Sequence, residues 1–350
     1  MTARYSAAAL TASATALLTA AGAEADKAKA VAEILVEGDL MGHDTHGLGL
    51  LGPYLGELEN GTMTKAGQPD VLNSRPATAV WDGKRLPGPW LVLKAMDECA
   101  KMAKTYGTGT VTIRRSHHIA ALAAYLKRAT DQGLVMILYC SDRNSASVAP
   151  HGGLAPVFTP NPMAFGIPTG DVPILVDISC SITTNGMSNR LAKEGKRFPG
   201  KWLIDDKGNA TDDPKYGVAG GGGSIQLLGG MDAGHKGYGL TLLVESLTGG
   251  LAAHGRADPK EGWGATVFVQ LLDPEAFGGL DGMTRQVDWV ADACRKSPPR
   301  PGFDAVRLPG ERGLQKRSEQ QQQGIALHPS IIPMLAPWAE KLKVALPAAL

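Results

Sequence analysis

The 350-residue sequence holds only four cysteines, Cys99, Cys140, Cys180 and Cys294, too far apart for any CxxC pair. A disulfide framework and a cysteine-built zinc centre are therefore excluded, and a reducing, cytoplasmic setting is expected. Charge of one sign is also missing. The 35 Lys and Arg against 34 Asp and Glu leave a net charge of +1. No field exists to hold a nucleic-acid backbone or an anionic membrane surface. No apolar run approaches the ~18–20 residues that cross a bilayer. The Ala-, Leu- and Thr-rich start resembles a leader, but Ser13, Thr15 and Thr19 interrupt it, so it reads as a helix.

What is present is 43% hydrophobic residues, enough for a sizeable core, and much glycine and proline. Gly 44 and Pro 23 make about a fifth of the chain, which implies many turns yet stays below the ~25–30% of low-complexity chains. Helices are expected over 6–40 (two, the first capped by Ser6 and punctuated by Gly22), 48–58, 91–106, 120–132, 238–253 and 283–296, with a helical tail at the end. The helix over 238–253 is apolar on most sides and is expected to be buried. Strands are expected within 71–81 and at 110–113, 134–139, 174–178 and 263–272. Gly220 to Gly223 reads as a flexible tract. Several strands follow one another directly, so a mixed sheet is expected in an α/β fold.

Gly47-Leu48-Gly49-Leu50-Leu51-Gly52 spells GxGxxG, but the residues before it look helical and no βαβ unit follows, so the phosphate-binding reading is refused. Gly229 to Lys236 lacks the Walker spacing, with His235 where lysine is needed. His43-Asp44-Thr45-His46 sets two imidazoles and a carboxylate beside a helix start. A metal site with His117 or His118, an acid/base role for His46 and simple capping by Asp44 or Thr45 are the alternatives. Arg114-Arg115-Ser116-His117-His118, between a strand and a helix, is either an anion site or a surface basic cluster. Asp177 to Ser181 suits a ribose or phosphate, or a plain strand-end turn. Lys236, between glycines at an expected helix start, suits a phosphate or ribose unless those glycines serve only packing.

In this order the segments resemble the malate/L-lactate dehydrogenase type 2 family, which also includes sulfolactate, ureidoglycolate and diketogulonate enzymes and Δ1-piperideine-2-carboxylate reductases. The resemblance rests on Thr45-His46-Gly47, Ser116 to Ala120, Ala149-Pro150-His151-Gly152-Gly153, Asn161-Pro162, Asp177 to Ser181, Lys236 to Leu240 and Leu308 to Arg312. It implies a non-Rossmann NAD(P)-binding domain on a mixed, largely antiparallel sheet (76–300). Beside it stands a helical domain formed by both chain ends (1–75 and 301–350), and the whole forms a homodimer. The implied reaction moves hydride between NAD or NADP and C2 of a small 2-oxo or 2-hydroxy acid, or of a cyclic imine acid, without a metal.

Carried over by that resemblance, His46 is the proton donor and acceptor, Thr45 supplies a hydroxyl beside it, and His118 is a second acid/base candidate. His118, Ile119, Ala120, Asp177, Ile178, Ser179, Lys236, Pro309, Gly310 and Glu311 would hold the dinucleotide. The sequence departs from the family at three substrate positions. Leu50 stands where Arg is frequent, Pro160 where Thr is, and Met187 where Asp marks the imine reductases. These imply a bulkier or more apolar substrate, its carboxylate met by another arginine such as Arg143 or Arg190, and they weaken the imine reading. A His-ligated metal hydrolase is the remote alternative.

Overall fold

The computed structural model describes residues 3–350. Strand β1 (Arg4–Tyr5) leads into α1 (Ala7–Ala20), whose first turn is closed by the Ser6 hydroxyl accepting the Ala9 amide. After Gly22, helix α2 (Ala25–Met41) buries nearly its whole length. A 3₁₀ turn at Leu48–Leu50 continues as α3 (Leu51–Glu59). This glycine-rich turn follows a helix, not a strand, so the GxGxxG letters lack the strand–turn–helix setting that would aim them at a pyrophosphate.

The hairpin β2 (Asp70–Arg75) and β3 (Thr78–Asp82) comes next, then α4 (Gly88–Tyr106), β4 (Thr108–Ser116), α5 (Ala123–Thr130) and β5 (Val135–Ser141). The helix expected over 120–132 is shorter because Ala120 adopts φ +61° and the Asp177 carboxylate accepts the Ala123 amide at 2.8 Å, which fixes the helix start. Strands β6 (Pro162–Ile167) and β7 (Ile174–Ser179) follow. No strand is expected from the sequence over 162–167, yet Pro162 opens β6, where its missing N–H costs least.

Also unforeseen are α6 (Asn185–Lys193) and a small sheet of β8 (Leu203–Ile204), β9 (Ala210–Thr211) and β10 (Ser224–Ile225). The glycines expected to be flexible close this small sheet. A Cβ on Gly221 would stand 1.8 Å from the Lys215 carbonyl oxygen, and one on Gly223 2.2 Å from that of Ile204. Helix α7 (Gly230–Glu245) begins eight residues before its expected start and passes into a wide turn at Ser246–Gly250. It is not buried: Met231, Leu242 and Leu243 lie open on it. Its inward side is instead held by glycine, since a Cβ on Gly237 would meet the Leu228 and Cys180 backbone. Strand β11 (Ala265–Leu272), α8 (Leu280–Lys296), α9 (Glu311–Gln323), β12 (Ile325–Ala326) and α10 (Ile331–Leu342) complete the chain.

Among the described residues seven strands form one mixed sheet in the order β2-β3-β4-β11-β5-β6-β7, in which only β3–β4 is parallel. Helices α4 and α5 pack on the sheet with α2 laid across them, and α7 also reaches β5. The chain ends meet, β1 pairing with β12 and α10 packing on α1 and α3. The expected boundary after residue 75 falls inside the β2–β3 hairpin, because β2 pairs with the sheet. One apolar cluster runs from Leu10 through the sheet to Leu335.

Register decides where chemistry collects. Ser116 pairs with Ala265, Ser141 with Thr266, Tyr139 with Met163 and Pro162 with Ser179. The ends of β4, β5 and β7 and the starts of β6 and β11 therefore share one end of the sheet. No described helix is long and apolar enough to cross a membrane.

Candidate active site

Three connected spaces open at that end. The largest, about 600 Å³, is lined by Thr45, His46, Leu50, His118, Asp142 and Trp263 among others. A second, about 340 Å³, shares Thr45, His46, His118 and Ser179 with it and adds Ile119, Ala120, Asp177, Ile178 and Met187. A third, about 420 Å³, shares His43, Asp177 and Ile178 with the second and reaches Pro309, Gly310, Arg312 and Lys316.

The wall around the imidazoles is built from one helical face. Leu50, Tyr54 and Glu57 recur at i, i+4 and i+7. Leu50 meets the cavity, Tyr54 meets His118, and Glu57 meets His117. The Tyr54 Oη lies 2.8 Å from His118 Nδ1, and the Ala120 amide donates to the same nitrogen at 3.2 Å. A nitrogen that accepts an amide proton carries none, so neutral His118 bears its hydrogen on Nε2. Burial pushes the His118 ring well below the usual histidine range, with His46 and His117 adding to the shift.

Backbone strain brackets this segment, with Arg115 at φ +52° and Ala120 at φ +61°. Such conformations cost non-glycine residues free energy and hold only when packing over-determines them. The start of α4 supplies that packing. A Cβ on Gly88 would stand 2.4 Å from the carbonyl oxygens of both His117 and His118, so only glycine lets the helix come this close.

His46 sits on the loop between α2 and α3, its Nδ1 2.9 Å from the Thr45 hydroxyl. Its Nε2 has no partner among the described residues, and its ring stacks toward His118 with centroids 5.8 Å apart. Burial lowers its pKa, opposed by the Asp177 carboxylate and reinforced by His43. The loop is held from two sides. Buried Asp39 accepts the Leu48 amide at 2.7 Å, and a Cβ on Gly47 would collide with that carboxylate. From α6, Arg190 reaches both Asp44 oxygens at 3.1 Å.

Behind the far wall, Glu245 Oε1 accepts from Ser141, Asn161 and Arg256 at 2.8, 2.9 and 2.8 Å. Arg256 also donates to the Asp142 carbonyl at 3.2 Å. The Asp142 carboxylate takes the Asn144 amides at 2.9 and 3.0 Å through Oδ1, and burial raises its pKa. Burial also pushes the Cys140 thiol up, so this cavity-lining cysteine is an inert wall.

Most of the expected residues meet here: Thr45, His46, Leu50, His118 and Pro160 in the largest space, Ile119, Ala120, Asp177, Ile178, Ser179 and Met187 in the second, Pro309 and Gly310 in the third. Others do not. Lys236 is exposed on the second turn of α7 and lines none of the three, because the helix begins earlier than expected. Glu311 turns away to pair with Arg295 at 2.7 Å and accept the Leu308 amide at 2.9 Å. Neither arginine expected for a carboxylate lines the cavity: Arg190 is taken by Asp44, while Arg143 bonds the Pro259 carbonyl and pairs with Glu261. Arg114 and Arg115 are spent on Asp82.

His117 is buried against Glu57, and among the described residues no group of three or more His, Cys, Asp or Glu is placed to hold a metal ion. The ligand set of the hydrolase alternative is therefore not assembled. Sequence reasoning missed Tyr54, Asp142, Trp263 and Lys316, and gave Arg312, within the Leu308 to Arg312 motif, no role in the site. Of these, only Trp263, an aromatic flanked by two glycines, carries a local signal.

A family model described as malate/L-lactate dehydrogenase matches residues 5–336. An L-lactate dehydrogenase of Cupriavidus necator is 32% identical over 340 residues, covering 95% of this chain and 96% of that one. A malate dehydrogenase of Pyrococcus horikoshii is 29% identical over 336 residues, 94% and 92% of the two chains. The crystal structure of malate dehydrogenase from Entamoeba histolytica superposes with a TM-score of 0.93 at 25% identity, covering 99% of this chain and all of that one.

Proposed function

The chain belongs to the malate/L-lactate dehydrogenase family, and from that premise we propose an NAD(P)-dependent oxidoreductase that interconverts a 2-hydroxy acid and its 2-oxo acid. The observation that carries the proposal is the pair of imidazoles, His46 and His118, 5.8 Å apart on a shared cavity wall, each with Nδ1 engaged and Nε2 free among the described residues.

The groove suits a pyridine dinucleotide: apolar walls at Ile119, Ala120 and Ile178, neutral imidazoles at one end and cations at the other. Ile119, Ala120, Asp177 to Ser179 and Pro309-Gly310 would hold it. Bound there, the nicotinamide supplies or takes up the hydride. His46 Nε2 exchanges the proton at the oxygen on C2, and Thr45 fixes the ring through Nδ1. The His118 Nε2–H donates a hydrogen bond to that oxygen as charge grows on it, and the two acts together lower the barrier where charge develops. Because burial lowers the His46 pKa and so favours the neutral ring, that ring is poised to accept a proton, the need of the oxidising direction.

Among the residues lining the largest space there is no Lys or Arg, and Asp142 is its one formally charged side chain apart from the imidazoles. A substrate carboxylate is received instead by the N–H groups opening α6 at Asn185 and Gly186, whose dipole favours an anion. A second carboxylate would face Asp142, so the favoured substrate is a monocarboxylate with an apolar side chain against Leu50, Pro160 and Trp263. A second copy of the chain is proposed to cover the bare α7 face, and sedimentation should give twice the chain mass.

The test is oxidation of NADH and NADPH by purified protein with a panel of aliphatic and aromatic 2-oxo acids, oxaloacetate and a cyclic imine acid. Turnover of an apolar monocarboxylate supports the reading. Cofactor binding without turnover of any member overturns it.

A further inference from the structure

Lysine and arginine are distributed unevenly along the groove. The first two spaces have neither among their lining residues, whereas the third has Arg312 and Lys316. Both stand on α9, four residues apart and hence on one side of the helix. Neither has a carboxylate within ion-pair distance among the described residues, although their basic neighbours do: Arg317 pairs with Glu37, and Arg295 with Glu311. The acidic residue of this space, Asp177, also lines the second space and so sits at their junction, and its Oδ2 is taken by the Ala123 amide. Pro309 anchors the approach to α9 by accepting the Leu175 amide from β7 at 3.1 Å, and Gly310 enters the helix with φ +92°. The free amides that open α9 add partial positive charge to the same place.

On the dehydrogenase reading above, nicotinamide lies beside His46 and His118, so the third space receives the far end of the dinucleotide. We infer that Arg312 and Lys316 bind a phosphate on the adenosine ribose, and that the chain selects NADP(H) over NAD(H). A pyrophosphate is common to both cofactors and lies nearer the reacting ring; a terminal 2′-phosphate is what distinguishes NADP(H). An NAD-selective end would instead offer the ribose diol a carboxylate, and Glu311, the nearest in sequence, is turned to Arg295. Arginine and lysine on one helical side suit a phosphate monoester as two convergent donors.

The experiment is fluorescence titration of the intact protein with NADPH and NADH, in the native chain and in Arg312→Ala, Lys316→Ala and the double variant. NADPH should bind at least about tenfold tighter, each substitution should weaken NADPH by about tenfold, and NADH should be unmoved. Adenosine 2′-monophosphate should compete better than adenosine 5′-monophosphate in the native chain and lose that advantage in the double variant. Both residues are exposed, so folding is not at stake. Equal affinity for the two cofactors overturns the inference while leaving the dehydrogenase reading intact. Equal losses for both on substitution do the same, assigning the cations to the pyrophosphate. Failure of both dinucleotides to bind overturns both.

Discussion

Tyr54 backs the ring of His118: its hydroxyl lies 2.8 Å from Nδ1, deep in the core, and its single hydrogen is shared between that nitrogen and the His118 carbonyl oxygen at 3.2 Å. Tyr54→Phe removes that partner and keeps the packing. One such hydrogen bond is worth about 0.5–1.5 kcal/mol. A fall in kcat of up to about tenfold is expected, with the cofactor Kd unchanged. Unaltered kcat would show that the tautomer is set by the Ala120 amide alone.

His46→Gln should lower kcat by about 10²–10⁴ with little change in cofactor affinity, since in the proposed function the residue moves the proton and does not carry the dinucleotide. Its pH signature follows from the lowered pKa. Reduction needs the protonated ring, so its rate is full below the depressed pKa and falls as pH rises through it. Oxidation behaves in the opposite sense. His43→Ala, which removes a ring that lowers the His46 pKa, should move the inflection to higher pH. Initial rates in both directions across pH 4–9 are the check.

Asp39 beneath the loop that carries His46 has its pKa raised to about 7, chiefly by burial and despite the Leu48 amide. The folded chain then binds this proton more tightly than the unfolded one, so stability is greatest below the unfolded pKa near 3.8 and declines as pH rises toward 7. Asp39→Asn keeps an acceptor for Leu48 and removes the buried charge. It should be more stable than the native chain at pH 8, by no more than roughly 4 kcal/mol, and so melt higher there, and the gain should vanish near pH 4. Thermal melts of both proteins at the two pH values decide it.

On the proposed reading Asp142, which lines the largest space, discriminates against a second carboxylate by repulsion. Asp142→Asn should raise kcat/KM for a dicarboxylic 2-oxo acid relative to its monocarboxylic analogue by about tenfold or more, since one unscreened like-charge contact in a cavity is worth over a kilocalorie. A ratio unmoved by the substitution would show that the substrate side chain points elsewhere.

The sequence was most legible where a local rule had local consequences. Ser6 caps α1, Gly22 and Gly107 end helices in the left-handed conformation, and the apolar strands at 110–113, 134–139 and 174–178 recur as β4, β5 and β7. It failed where glycine and proline serve tertiary contact. Pro162 opens a central strand, Gly237 sits inside a helix because a backbone runs against it, and the run Gly220 to Gly223 is packed tight. For the site, His46, Thr45, His118 and Asp177 carried enough motif to be named in advance, whereas Tyr54, Asp142 and Lys316 lie in unremarkable letters.

The order of residues alone determined the class of fold, the capped helices, the apolar strands and the family, because capping, periodicity and motif spacing are properties of neighbours in the chain. Tertiary structure decided which charges remain free. Arg143, Arg190, Arg114 and Arg115 are spent on carboxylates that arrive from distant segments, while Arg312 and Lys316 are left open at the end of a groove. A side chain's charge is written in the sequence, but its partner is set by strand register and helix packing across tens to hundreds of residues.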